Sequence, residues 1–200
     1  MADAMPADDS TARLRLPPEL NYAFLLFVLL GIAAILTAAM VLQYGSGELP
    51  CPLCLLERYA MFGICFGIIR NFRHGLSYRN TGYSLLCGIF LLVVAVRQTL
   101  LDIYPRPGHA YIGSAIFGLH MPVWSIVIAL CVLTAYAVKL AVLGENASLR
   151  DTAIDAFPTF ARLARVASLY LIALLAVNFV SVVIQCGLGE CHTFSYRLLG

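Results

Sequence analysis

The chain has 200 residues, of which 61% are hydrophobic and 12% charged, and its formal net charge is +2. Its mean hydropathy of +0.86 is too high for a soluble domain of this length. So small a positive charge, with no basic stripe, excludes a nucleic-acid surface and leaves an integral membrane protein whose first partner is the lipid bilayer.

In chain order, a polar tail covers residues 1–20, and five apolar runs follow. They extend approximately from Tyr22 to Leu42, Leu55 to Phe72, Gly82 to Leu101, Pro122 to Leu143 and Val166 to Gln185. Each is near the roughly 20 residues a helix needs to cross a bilayer core. The expected fold is an all-α integral membrane protein, a single helical bundle of five transmembrane helices over residues 21–185, followed by a short polar tail at 186–200. The first run is longer than a signal-peptide core and has no clear small-residue cleavage site, so it reads as an uncleaved helix after a cytoplasmic tail. Orientation follows from the basic residues. With the N-terminus in the cytoplasm, Arg13, Arg15, Arg70, Arg73, Arg79, Lys139, Arg150, Arg162 and Arg165 lie inside, and only Arg58, Arg97, Arg106 and Arg197 lie outside.

The segment Cys51-Pro52-Leu53-Cys54-Leu55-Leu56-Glu57-Arg58 opens the second run. It puts two thiols and a guanidinium at the polar mouth of an apolar helix. The thiolate is the reactive form of cysteine, and a helix N-terminus and a nearby cation both favour it. Arg58 follows Cys54 by four residues, one turn along the same face. The competing reading is a structural disulfide or two buried small residues. The topology above places Cys51, Cys54, Cys186 and Cys191 on one outer side, in a compartment where disulfides persist. Cys65, Cys87 and Cys131 lie inside apolar runs and read as small hydrophobes. Glu57 sits three residues from Cys54, where an ionised carboxylate disfavours a thiolate. It reads either as a polar anchor among the headgroups or as a proton carrier. Tyr104, His109, Tyr111, His120 and Trp124 fall where an interfacial aromatic belt is expected.

The stretch C-P-L-C-L-L-E-R-Y-A-M-F-G from Cys51 to Gly63 resembles the signature of the DsbB family, membrane quinone reductases that reoxidise a periplasmic thiol oxidase. Gly118-Leu119-His120-Met121-Pro122-Val123-Trp124 is similar to the segment entering that family's fourth helix, and L-L-D-I-Y-P from Leu100 to Pro105 looks like its run after the third. The chain departs from the better-known pattern in two ways. Asp102 to Met121 contains no cysteine, and a fifth helix leads to Cys186-Gly187-Leu188-Gly189-Glu190-Cys191, which resembles a variant branch with a C-G-x-G-x-C terminus.

The resemblance implies a relay of catalytic cysteines. A reduced DsbA-like oxidase attacks the disulfide Cys186–Cys191, the resulting dithiol exchanges with Cys51–Cys54, and two electrons pass to a membrane quinone, ubiquinone or menaquinone. Cys54 is then the sulfur at the quinone, Cys51 the one that exchanges, and Arg58 the charge that stabilises both thiolate and quinone oxygen. Arg97 and Gln98 are candidate partners for a quinone carbonyl. The implied place is the bacterial inner membrane, with the active cysteines periplasmic and no metal site. Two rivals remain: a four-cysteine metal site, and a non-catalytic membrane protein braced by disulfides.

Overall fold

A computed structural model describes residues 18–103, 117–142 and 154–187. These form five helices: α1 Pro18–Gly45, α2 Pro52–His74, α3 Tyr78–Ile103, α4 Met121–Val142 and α5 Pro158–Cys186. A short 3-10 turn, Ile154–Ala156, precedes α5. All five helices are long and apolar enough to cross a membrane. The fold is therefore the expected all-α membrane bundle. Large apolar side chains such as Phe27, Leu86, Leu100, Leu169 and Phe179 cover its outside. That surface suits acyl chains, where a helix satisfies its own backbone.

Four of the five helices run further at both ends than their apolar runs, and α4, Met121–Val142, is shifted by one residue. The largest extension is at α5, which begins at Pro158, eight residues before Val166. Arg162 and Arg165 break the apolar run but not the helix, because long basic side chains reach the headgroup layer from inside a span. Pro158 sits in the first turn, where its missing N–H costs nothing.

Tyr22, Leu25, Leu29, Ile32 and Leu36 repeat at three- and four-residue steps along α1 and are fully buried or nearly so. They meet Ile64 and Ile68 of α2, Leu91 of α3, Tyr136 of α4 and Leu171 of α5 in one core. The same face of α1 continues to Met40 and Gln43, so the apolar stripe ends in a buried amide.

Small residues let α2 and α3 approach most closely. A Cβ on Gly67 would meet Ser84 Oγ and the Asn80 carbonyl, and one on Gly63 would meet Cys87 Sγ. This Gly-x-x-x-Gly spacing is a recurrent way to bring membrane helices together, since packing rather than hydrophobicity drives their association. Ser84 Oγ then donates to the Ile64 carbonyl at 2.9 Å. At the turn between the two helices the Ser77 amide donates to Asn71 Oδ1 at 3.1 Å. Arg70 stands over the Phe66 and Tyr83 rings and donates to Asn80 Oδ1. The α2–α3 pair is thus a rigid unit that fixes where the start of α2 meets the end of α3.

Candidate active site

Cys51 is the N-cap of α2, in extended conformation, and Pro52 follows in the first turn. Its sulfur accepts the Cys54 amide at 3.1 Å and its carbonyl accepts the Leu55 amide at 3.0 Å. A proline inside a C-x-x-C therefore does not disturb the helix, because the amide it removes is one of the first-turn orphans. Cys51 and Cys54 are joined as a disulfide, with their Cα atoms 5.0 Å apart.

Gln98, near the end of α3, donates through Nε2 to both sulfurs, at 3.3 Å each. It lies on the buried face with Leu91, Val94 and Ala95. Arg97, the adjacent residue, is turned about 100° away by the helix and is exposed, beside Leu92, Val93, Val96, Leu100 and Leu101. Of the two residues read as carbonyl partners, one touches the disulfide and the other lies on the outer surface of the bundle.

On the other side of the disulfide is a cavity of about 390 Å³ between α1, α2 and α4. Its wall is mostly apolar, with Leu36, Leu42, Met61, Met121 and Ile128, and Trp124 also contributes. Cys54, Glu57 and Arg58 line it from α2. Trp124, read above as part of an interfacial belt, is a half-buried wall residue. Phe117, at the mouth, is 92% exposed, holds a positive φ of 52° and lies edge-on to Trp124.

Arg58 is buried, and its guanidinium turns toward α1 and α5. Nη1 donates to Gln43 Oε1 at 2.6 Å and to Asn178 Oδ1 at 3.3 Å, while Nη2 donates to the Ala39 carbonyl at 3.3 Å. Burying a cation is costly unless its donors are used, and α1 and α5 supply acceptors for Nη1 and Nη2. Glu57 is also inside the bundle, 5% exposed, where Ser125 Oγ donates to its Oε2 at 2.6 Å. A headgroup anchor is thereby corrected: Ser125 of α4 meets the carboxyl inside the bundle, which hydropathy alone does not reveal. Glu57 Oε1 is buried without a hydrogen-bond partner among the described residues.

The fifth helix adds a polar stripe at the same end. Gln43 Nε2 donates to Ser181 Oγ at 2.7 Å, and Gln185 Nε2 donates to the Pro50 carbonyl at 2.8 Å. Asn178, Ser181 and Gln185 follow at three- and four-residue steps and are all buried. Gln185 immediately precedes Cys186, and Pro50 immediately precedes Cys51. Cys186 is disulfide-bonded and 5% exposed. Cys191, the other half of the predicted outer pair, lies outside the described residues, as do Tyr104, His109 and Tyr111. Cys65 is buried, Cys87 half-buried and Cys131 exposed, and all three are free thiols.

The sequence reading missed Gln43, Ser125, Asn178, Ser181 and Gln185. A signal was present for the last three: amides and a hydroxyl on one face of an otherwise apolar span mark an inward-facing stripe. Gln43 and Ser125 are single polar residues at span ends, where solvated positions look the same.

Fold and site together define a multi-pass α-helical membrane protein with a cysteine pair seated beside an internal cavity. Residues 21–110 match the family described as "Disulfide bond formation protein DsbB". Similar curated proteins carry the name "Disulfide bond formation protein B". The one from Polaromonas naphthalenivorans (strain CJ2) is 36% identical over 99 residues, 48% of this chain and 58% of that protein. The one from Paracidovorax citrulli (strain AAC00-1) is 36% identical over 89 residues, 43% of this chain and 50% of that protein. One from Pseudomonas syringae pv. tomato (strain ATCC BAA-871 / DC3000) is 40% identical over 70 residues, 31% and 41% of the two chains. Over this stretch the chain is similar to the DsbB family. It spans about half the length of the curated relatives it matches. The family match ends at residue 110, before α4 and α5. No solved structure matches the chain.

Proposed function

We propose that the protein is a membrane thiol:quinone oxidoreductase that reoxidises a periplasmic DsbA-like dithiol oxidase and supports disulfide bond formation. One observation carries the reading: Cys54, half of a disulfide, lines an apolar cavity whose other α2 residues are Glu57, Arg58 and Met61. A flat apolar ring with two carbonyl oxygens suits such a cavity, and the buried Glu57 Oε1 is a polar atom in its wall with no hydrogen-bond partner among the described residues. A bound ubiquinone or menaquinone supplies the acceptor for two electrons and two protons.

The residues of the chain divide the remaining work. A thiolate of the reduced partner attacks the Cys186–Cys191 bond, forming a mixed disulfide and releasing the other tail sulfur. The partner's second thiol resolves it, leaving the partner oxidised and the tail a dithiol. A tail thiolate then attacks Cys51, the Cys51–Cys54 bond breaks, and Cys54 leaves as thiolate. The second tail sulfur displaces Cys51, so the tail disulfide reforms and the inner pair holds the two electrons. Gln98 donates to whichever sulfur carries charge. Arg58 keeps a positive charge in the cavity wall beside Cys54, where a low dielectric strengthens it.

The reading includes a bacterial inner-membrane location, residues 1–20 as a cytoplasmic tail, 21–185 as the membrane domain and 186–200 as a periplasmic redox tail. The test is purified protein in detergent, assayed for quinone reduction with a small dithiol and with a reduced DsbA-like protein. Both should support turnover in the wild type. Cys186→Ser and Cys191→Ser should each block the protein-driven reaction but not the dithiol-driven one, and one of them should accumulate a reductant-sensitive complex with the partner. Full partner oxidation by the double variant would sink the relay through the tail.

A further inference from the structure

The fifth helix lies outside the residues that match the family, yet its buried stripe reaches both ends of the candidate site. Its spacing is that of one helix face, Asn178, Ser181 and Gln185, at 1%, 3% and 0% exposure. Three buried polar residues on a membrane helix are expensive unless they are used, and each is used on a residue that belongs to the site or touches it. Asn178 accepts from Arg58, Ser181 accepts from Gln43, and Gln43 in turn accepts from Arg58. Gln185 binds the carbonyl immediately before Cys51 while preceding Cys186 itself.

The geometry points to α5 as a positioning element of the redox site: its stripe holds the chain at Cys186 against the chain at Cys51 and holds the Arg58 guanidinium in the cavity wall. The two disulfides are then presented to each other by a rigid helix rather than by a free tail. Positioning of this kind raises the effective concentration of one sulfur at another without adding any reacting group. The inference rests on the proposed relay for its purpose, but not for its measurement.

The measurement uses the full chain carrying Cys54→Ser and Cys191→Ser, which leaves Cys51 and Cys186 as a potential pair. The equilibrium between the dithiol and the Cys51–Cys186 disulfide is read in glutathione buffers by mass mapping of unreduced peptides. The parent should form this bond with an effective concentration above the mM order expected for flexibly tethered groups. Gln185→Leu should lower that value about tenfold, the worth of one buried hydrogen bond. Ser181→Ala, a smaller change that keeps the helix apolar and packed, should lower it by about threefold, and it serves if Gln185→Leu fails to fold. No Cys51–Cys186 bond in the parent, or equal values in parent and both variants, would overturn the inference.

The Arg58 end is read separately, in the otherwise wild-type chain. Asn178→Leu should raise the KM for a soluble short-tailed quinone about tenfold, and Asn178→Asp, which keeps an acceptor for the guanidinium, should restore it. An unchanged KM in Asn178→Leu would detach α5 from the cavity. A Cys54→Ser, Cys191→Ser chain that forms the cross-link, beside a wild type that reduces no quinone, would fail the proposed function and leave the positioning intact.

Discussion

Ser125 Oγ lies 2.6 Å from Glu57 Oε2, so α4 holds the carboxyl of the C-x-x-C-x-x-E-R element inside the bundle. The contact joins a residue of the family-matched stretch to one beyond it. It also places an acid, one oxygen of which has no hydrogen-bond partner among the described residues, in the wall of the cavity that Cys54 shares.

Removing only the hydroxyl should be worse than removing both partners. Ser125→Ala leaves a buried carboxyl oxygen without its donor and should cost about 1–3 kcal/mol, whereas Glu57→Leu with Ser125→Ala should cost less. Thermal unfolding in detergent compares them. A double variant less stable than Ser125→Ala would show that Glu57 is held by something other than this bond.

Gln98 should set the reducibility of the inner disulfide. Its amide donates to both sulfurs, and a donor binds a developing thiolate more strongly than a neutral disulfide. Gln98→Leu should therefore destabilise the reduced pair and move its potential about 30–60 mV more negative, at about 30 mV per 1.4 kcal/mol. Titration of Cys51–Cys54 in dithiol buffers gives the number, and a shift toward more positive potential would reverse the assigned role.

Arg58 should matter to both fold and cavity. Arg58→Met strands Gln43 Oε1 and Asn178 Oδ1, each about 1–3 kcal/mol when buried and unpaired. Arg58→Lys should recover part of this loss, since a point charge cannot span α1 and α5 as the planar fork does. Unfolding midpoints should rank wild type above Lys above Met, and quinone turnover should follow the same order. A fully active Arg58→Met would make the guanidinium a packing device alone.

Orientation can be read from exposed positions on opposite sides. Ser46 follows α1 at the cysteine end of the bundle, and Arg73 closes α2 at the other; both are exposed. In cells, Ser46→Cys should react with a membrane-impermeant thiol reagent added from the periplasmic side, and Arg73→Cys should react only after the membrane is opened. The opposite pattern would invert the proposed topology.

Much of the architecture was legible along the chain. Five runs near 20 residues long become five helices because a bilayer admits no other continuous apolar solution of that length. The C-P-L-C at the start of α2 was readable as a cysteine pair at a helix N-terminus because capping is local, decided by the residues within one turn.

Tertiary structure alone decided what faces the cysteines. Arg97 and Gln98 are neighbours in sequence, and only the packing of α3 against α2 sends one amide to two sulfurs and its neighbour outward. The same holds for Glu57, whose buried carboxyl meets Ser125 of α4, and for Arg58, whose acceptors stand 15 and 120 residues away along the chain. A hydrophobic run reports how long a helix is and that it enters the membrane. Which of its faces meets another helix depends on shape and hydrogen bonding between segments distant in sequence, and those terms exist only once the bundle has closed.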